Sequence, residues 1–276
     1  MVVTDDAPIA KTEETPEDDD WPLFNAKDHA EQFDPTKYLE GFYKTAKEDL
    51  AMQVVLFFLP GILYRLPNQV EDVLDLGAGP TVYIPIIMRH RAKNIYSSDY
   101  AEINRETVSA WLKNQSTFDW SNVCEWIQTI EASRETTEMM QNKAREIMKG
   151  VLAVNVHNSS PVTGVHYLKD PNQEVPKQFD AVCTVFCLEY ASETLEEYEK
   201  AVLNASSLVK TGGYLVQGGV LEASEYAFGG RRFKCHFLTK EQLLGALQKS
   251  GFETDEKKGF KLIVSEEIFV LVAKKS

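Results

Sequence analysis

Short apolar runs that alternate with helical stretches constrain this chain more than any other feature. Runs at residues 73–76, 94–98, 151–156 and 179–186 are separated by "PTVYIPIIMRHR", "EINRETVSAWLKNQ" and "ETTEMMQNKAREIMK", and "LEEYEKAVLNASSLV" follows the fourth. A fifth run, "GGYLVQGGVL", and a helical "TKEQLLGALQKSG" come next. Strands joined through helices need right-handed crossovers, and therefore a parallel sheet. The last two runs, 260–265 and 268–273, are separated only by Glu266 and Glu267. Two residues cannot carry a crossover, so this pair is expected to be an antiparallel hairpin. The expected fold class is α/β, a doubly wound Rossmann-like sheet with five parallel strands and an antiparallel C-terminal hairpin. Ahead of it, "DPTKYLEGFYKTAKEDLAMQVVLFFLPGIL" has a helical pattern. Asp34 suits an N-cap and Pro35 the first helical position; a second helix is expected from about Ala46.

Charge narrows the partners. The 276 residues carry a net charge of -13. Nucleic-acid phosphates need clustered Lys and Arg, so no nucleic-acid partner is expected. Residues 1–20 hold eight acids and one base, a charge of -7, which leaves -6 for the rest. So acidic and apolar-poor a stretch is expected to be a disordered tail, with 21–276 forming a single domain. The start has neither the basic opening nor the apolar run of a signal peptide. No stretch reaches the roughly 20 apolar residues that span a membrane, and "VVLFFLPGIL" suits a core helix end. Cys124, Cys183, Cys187 and Cys235 form no CxxC pair and are expected to be reduced thiols of a cytoplasmic protein. The five histidines show no ligand spacing, so no metal is expected. A monomer is expected.

The first apolar run ends in "EDVLDLGAGPTVYIP", residues 71–85. This string is a strand, a turn and a helix start. Ligands of open α/β sheets bind at such carboxyl ends, near the switch in strand order. Gly77 and Gly79 allow a sharp turn and close approach to a ligand. Asp75 stands inside the strand, and Asp99 closes the next one in "NIYSSDYAEIN". A carboxylate there accepts both hydroxyls of a ribose. A dinucleotide site wants a small residue three past the second glycine; that position is Val82, behind Pro80 and Thr81. A nucleoside without a pyrophosphate fits better, and S-adenosyl-L-methionine is the common one. Asn104, one turn into the next helix, is within reach of the same nucleoside.

"FDPTKYLEGFYK", "DVLDLGAGPTVYIP", "SSDYAEIN", "FDWSNV", "FDAVCTVFCLEYA" and "VKTGGYLVQGGVLEASEYAFG" occur in this order. Together they resemble the nicotinamide, phenylethanolamine and thioether/indolethylamine methyltransferase family. The resemblance implies a class I methyltransferase fold with an N-terminal helical cap. It implies that Tyr38 and Tyr43 close over S-adenosyl-L-methionine and that Gly77, Ala78, Gly79 and Tyr83 meet its methionine end. Asp99 would hold the ribose beside Tyr100, with Asn104, Asn155 and Val156 by the adenine and Val185 also in contact. The family usually has Asp where Asn155 stands, which changes the groups that donate to an adenine edge.

On the acceptor side, Glu189 in "CLEYA" matches a carboxylate that contacts the amine or amide, and it is the expected catalytic group. Nicotinamide-specific members carry Asp and Ser at positions that here are Gly219 and Ala223. Glu222 stands beside the latter, where phenylethanolamine-specific members carry an acid, and Cys235 is a further pocket candidate. The implied reaction is N-methylation of a small amine or pyridine such as nicotinamide or an arylethylamine. Thioether S-methylation and a degenerate cofactor-binding relative without catalysis stay open. A dinucleotide oxidoreductase is disfavoured by Val82.

Overall fold

The computed structural model describes residues 20–44 and 49–276. The acidic tail, apart from Asp20, and the helix start expected near Ala46 lie outside these residues. The N-terminal segment holds a two-residue strand β1 (Leu23–Phe24), one helical turn α1 (His29–Gln32) and helix α2 (Pro35–Phe42). Asp34 caps α2 by accepting from the Lys37 N–H, and Pro35 stands at its first position. Helix α3 (Leu50–Leu63) is capped in the same way by Asp49. It is apolar nearly all round, and Pro60 sits in its last turn.

Strand and helix then alternate. In order they are β2 (Val70–Leu76), α4 (Tyr83–Met88), β3 (Ala92–Asp99), α5 (Glu102–Leu112), α6 (Ser121–Glu131), α7 (Thr137–Ile147), β4 (Met148–Val154), β5 (Val162–Leu168), β6 (Phe179–Val185), α8 (Leu195–Ser207) and β7 (Val209–Val220). The short pair β8 (Glu225–Phe228) and β9 (Arg231–Lys234) follows, then α9 (Lys240–Lys249), β10 (Lys261–Ser265) and β11 (Ile268–Lys274). The main sheet runs β10-β11-β7-β6-β2-β3-β4-β5. Its middle five strands, β7 to β4, are parallel. The C-terminal hairpin is antiparallel, and Glu266 and Glu267 turn it with positive φ at both positions.

Two elements of sheet structure go beyond the sequence expectation. β5 adds an antiparallel strand at the far edge, and β1, β9 and β8 form a separate three-stranded sheet. The expected fourth strand also shortens: it closes at Val185, because Phe186 takes a positive φ of 52°.

The parallel strands are apolar on both faces because helices cover both. In β2, Val73, Leu74 and Leu76 have no exposure. Helices α3 to α7 pack on one face and α8 and α9 on the other. From β2 the chain steps outward to β3 and β4, then returns to β2's other side as β6 and β7. The order therefore reverses at β2, and the crevice at the carboxyl ends of β2, β3 and β6 is where a ligand belongs.

Candidate active site

A cavity of about 280 Å³ occupies that crevice. The turns that leave four of the five parallel strands contribute to it: Gly77, Ala78, Gly79 and Thr81 after β2, Asp99 and Tyr100 after β3, Val154 to His157 after β4, and Val185 to Cys187 after β6. Tyr38 and Tyr43 from the N-terminal segment, Tyr83 from α4 and Asn104 from α5 complete this half.

The two glycines have different physical reasons. Both have positive φ, 69° at Gly77 and 59° at Gly79. A Cβ on Gly77 would stand 2.1 Å from the Cys187 Sγ. The side chain missing at Gly77 thus also makes room for a neighbouring thiol, a reason additional to the turn and the ligand. A Cβ on Gly79 would meet nothing within 4 Å. Gly79 opens directly onto the cavity.

Asp99 is tied down before any ligand arrives. Its Oδ2 accepts from the Gly79 N–H at 2.8 Å, and its Oδ1 accepts from the Ala101 N–H at 2.9 Å and from Asn104 Nδ2 at 3.0 Å. Burial pushes its carboxyl up, and these three donors oppose that shift. Oδ2 keeps an acceptor site, since a carboxylate oxygen takes about two hydrogen bonds. The Asn104 Oδ1 is buried without a partner, which suits a donor from a ligand. Asn155 spends its Oδ1 on the His157 N–H at 2.9 Å, closing its own turn. Its NH2 group is left for a ligand, so the Asn in place of Asp makes this position a donor.

These features fit an adenosyl cofactor: a fixed carboxylate for a diol, an orphaned carbonyl and a free amide for a purine edge, and an open glycine for the amino-acid end. Tyr43 stacks on Tyr83 at 5.7 Å, and both are buried. The twelve residues expected on the cofactor side (Tyr38, Tyr43, Gly77, Ala78, Gly79, Tyr83, Asp99, Tyr100, Asn104, Asn155, Val156 and Val185) all line this one cavity.

The acceptor-side expectations do not. Glu189, Gly219, Glu222, Ala223 and Cys235 are absent from the cavity wall. Glu222 is exposed, with a positive φ of 59°. Cys235 gives its thiol hydrogen to the Ala223 carbonyl. Glu189 has no exposure and lies just behind Cys187 and Tyr190, which do line the cavity. Its Oε1 accepts from the Val220 N–H at 3.2 Å, and its Oε2 has no partner. Burial pushes its carboxyl up to about 8. A Cβ on Gly219 would fall 2.3 Å from the Glu189 Oε1, so Glu189 fills the space that a side chain at 219 would take.

The other end of the cavity is aromatic, and residue-by-residue reading missed it. Phe33, Phe186, Tyr190 and Tyr226 line it together with His29. Tyr190 and Tyr226 stack at 4.1 Å with 4° between their planes. Tyr190 and Tyr226 do stand in the quoted "CLEYA" and "EASEYAFG" stretches, but two tyrosines 36 positions apart carry no local sign of stacking. Among the described residues, no group of three or more His, Cys, Asp or Glu is placed to hold a metal.

The reversed strand order, the antiparallel closing hairpin and the nucleoside-shaped cleft define a class I methyltransferase that uses S-adenosyl-L-methionine. Residues 22–276 match the NNMT/PNMT/TEMT family model, and the chain belongs to that family. It is 55% identical over 250 residues to a nicotinamide N-methyltransferase of Caenorhabditis elegans, covering 91% of this chain and 92% of the relative. It is 30% identical to the human nicotinamide N-methyltransferase, covering 91% and 97%. The rabbit (Oryctolagus cuniculus) indolethylamine N-methyltransferase is 29% identical, over 83% and 86%. In structure, the CurJ carbon methyltransferase superposes with a TM-score of 0.51 at 13% identity, over 89% of this chain and 62% of that one. That likeness concerns the fold.

Proposed function

We propose that the chain transfers a methyl group to the nitrogen of a small, flat aromatic acceptor, either a pyridine such as nicotinamide or an arylethylamine. One observation carries this reading: the cavity joins a polar half suited to a nucleoside to a half walled by stacked aromatic rings. Flat rings bind between aromatic faces at offset-stacked distances. The names of the relatives support nitrogen as the acceptor atom.

Bound S-adenosyl-L-methionine supplies an activated methyl on a sulfonium. The protein's part is alignment, and holding both reactants in line is worth several kcal/mol. In this reading Asp99 accepts from the ribose hydroxyls, Asn104 and Asn155 meet the adenine, and Tyr38 and Tyr43 close over the cofactor. Tyr190 and Tyr226 fix the acceptor ring. Glu189 lies behind that wall with one unpartnered oxygen, and where it ionises, toward pH 8 and above, its charge favours the cation that forms on nitrogen. Glu189 fills the space that a side chain at Gly219 would take. Gly219 and Ala223 nonetheless lack the Asp and Ser of nicotinamide-specific relatives, so nicotinamide should be a slower acceptor here than in those relatives. The four unpaired cysteines support a reducing, cytoplasmic setting.

The test is transfer of labelled methyl to nicotinamide, phenylethanolamines, tryptamine and dimethyl sulfide. Methylation of a nitrogen acceptor is the expected result. Transfer to the thioether alone would make the chain an S-methyltransferase. Stabilisation by adenosylhomocysteine without transfer to anything would make it a cofactor-binding relative.

A further inference from the structure

We propose that Tyr226 and His29 form a proton-accepting pair for acceptors that arrive as alkylammonium ions, with His29 the final holder of the proton. The inference rests on the N-methyltransferase reading and assigns the one step that reading leaves open. A pyridine nitrogen attacks as it stands. An alkylammonium has no lone pair until it gives up a proton, so the site must contain a group that takes it.

The hydrogen bonds around His29 fix its role. Its Nδ1 bonds the Ala26 carbonyl, which can only accept, so Nδ1 carries the hydrogen. The Nε2 of the neutral ring is then an acceptor, and it receives the Tyr226 hydroxyl. The phenol oxygen in turn keeps its lone pairs for the cavity. The ring is clamped, stacked on Phe233 at 4.4 Å and 19°. His157, the other histidine of the cavity wall, has no such freedom: its Nε2 is committed to the Ala191 carbonyl at 2.7 Å.

The step balances. The ammonium N–H bond breaks, and its proton joins the Tyr226 oxygen as the phenol hydrogen passes to His29 Nε2. The acceptor becomes a neutral amine and His29 an imidazolium. The freed lone pair forms the C–N bond, and the C–S bond breaks with its electron pair staying on sulfur.

The charges that face His29 suit a transient cation. Asp28 adjoins it on its own segment, and Glu193, at the end of the loop before α8, accepts the Ala26 N–H at 2.9 Å. Tyr226 faces it from β8 and stacks in turn on Tyr190. From β9, Lys234 is held by Asn25 and lies 4.0 Å from Glu193, while Arg232 lies 3.5 Å from Glu225 on β8. Burial lowers the His29 ring below the usual histidine value, which keeps its Nε2 lone pair free at pH 7 and makes it a weak base, so the proton rests there only in passing. Glu189 is a poorer candidate for the proton, since it does not reach the cavity wall.

The experiment compares an arylethylamine with nicotinamide as acceptors across pH 6 to 10, using wild type, His29→Gln and Tyr226→Phe. A cooperative melt of each variant verifies folding. Loss of one positioned acid–base group costs on the order of 10²-fold. The expected result is that His29→Gln lowers the ratio of amine to pyridine kcat by about that factor at pH 7. The gap closes as the pH rises and the amine deprotonates in solution. Tyr226→Phe is expected to lower the same ratio with the same pH recovery. An equal loss on both acceptors, or a gap that persists at pH 10, overturns the inference. Wild type active on nicotinamide alone overturns it too and leaves the functional reading intact. Wild type active on neither overturns the functional reading, and the inference falls with it.

Discussion

Residues in the first loop show how the same amino acid serves two purposes two positions apart. Gly77 is small because Cys187 packs against it, and Gly79 is small because the cavity begins there. Substitution separates the two. Gly77→Ala adds both a steric overlap with Cys187 and a left-handed backbone that disfavours a side chain, so it should destabilise by about 2–4 kcal/mol. Adding Cys187→Gly should recover part of that loss in a double-mutant cycle read by denaturant midpoint. Gly79→Ala should cost only about 1 kcal/mol, the backbone part alone. Its methyl group enters the cavity, so adenosylhomocysteine affinity should fall at least tenfold by calorimetry. Asp99 belongs to the same loop through its bond from the Gly79 N–H. Asp99→Ala removes a charge-assisted bond worth about 1.5–3 kcal/mol, so cofactor affinity should fall tenfold or more while the variant stays folded. Unchanged affinity would remove Asp99 from the site.

Among the elements, those with a long apolar signature were legible in sequence and those without one were not. β2, β4 and β6 carry near-continuous apolar stretches because helices bury both their faces. The hairpin is fixed by the mere shortness of its connection. β5, "VTGVHYL", hides at an edge, where Val165 is more than half exposed, so no apolar run marks it. β8 and β9 have four residues each, and their cohesion lies in rings brought from distant positions. Phe228 is the hub: it touches Phe33, Tyr38 and Phe42 of the N-terminal segment and Tyr226 and Phe233 of the small sheet. The cofactor half of the site was legible because turns after strands carry it in short motifs. The acceptor half was not, because its wall pairs β8 with the turn after β6 and with His29. Phe228→Ala tests the hub. The loss of five ring contacts should loosen α2 more than the main sheet. Amide exchange should quicken through residues 35–42 with β2 and β6 unchanged, and KM for the cofactor should rise severalfold as Tyr38 loses its support. Equal quickening in β2 would show that the hub holds the whole fold.

Across the whole molecule, the site imposes a pH dependence on folding. Glu189 is fully buried in the native state, and burial raises its carboxyl from 4.5 to about 8. The sign follows from linkage. Between pH 4.5 and 8 the unfolded chain has released this proton and the folded chain keeps it, so folding takes up a proton. Stability therefore falls as pH rises through that window and levels off above it. Asp75 and Asp99 are raised by burial as well and act in the same direction. Ordinary paired carboxylates act in the opposite direction, because their native values are depressed and their stabilisation is lost in acid. Glu189→Gln keeps the shape and the Val220 bond but cannot ionise. The two proteins should melt nearly together at pH 5, and the variant should gain as pH rises. The ceiling on that gain is about 5 kcal/mol, from 1.36 kcal/mol per pK unit, and it shrinks wherever water reaches the unpartnered Oε2. Melting temperatures from pH 5 to 9 decide the matter. A constant offset between wild type and variant would mean that Glu189 is ionised throughout, and its buried charge would then need a partner that Val220 alone does not supply. If the difference does grow, turnover should move against it: the substitution that stabilises the fold at pH 8 removes the charge that favours a cationic nitrogen, and methylation should drop by about 10²-fold. A stabilised but slow variant is what a fold that buries a carboxyl for function, at the expense of stability, should produce.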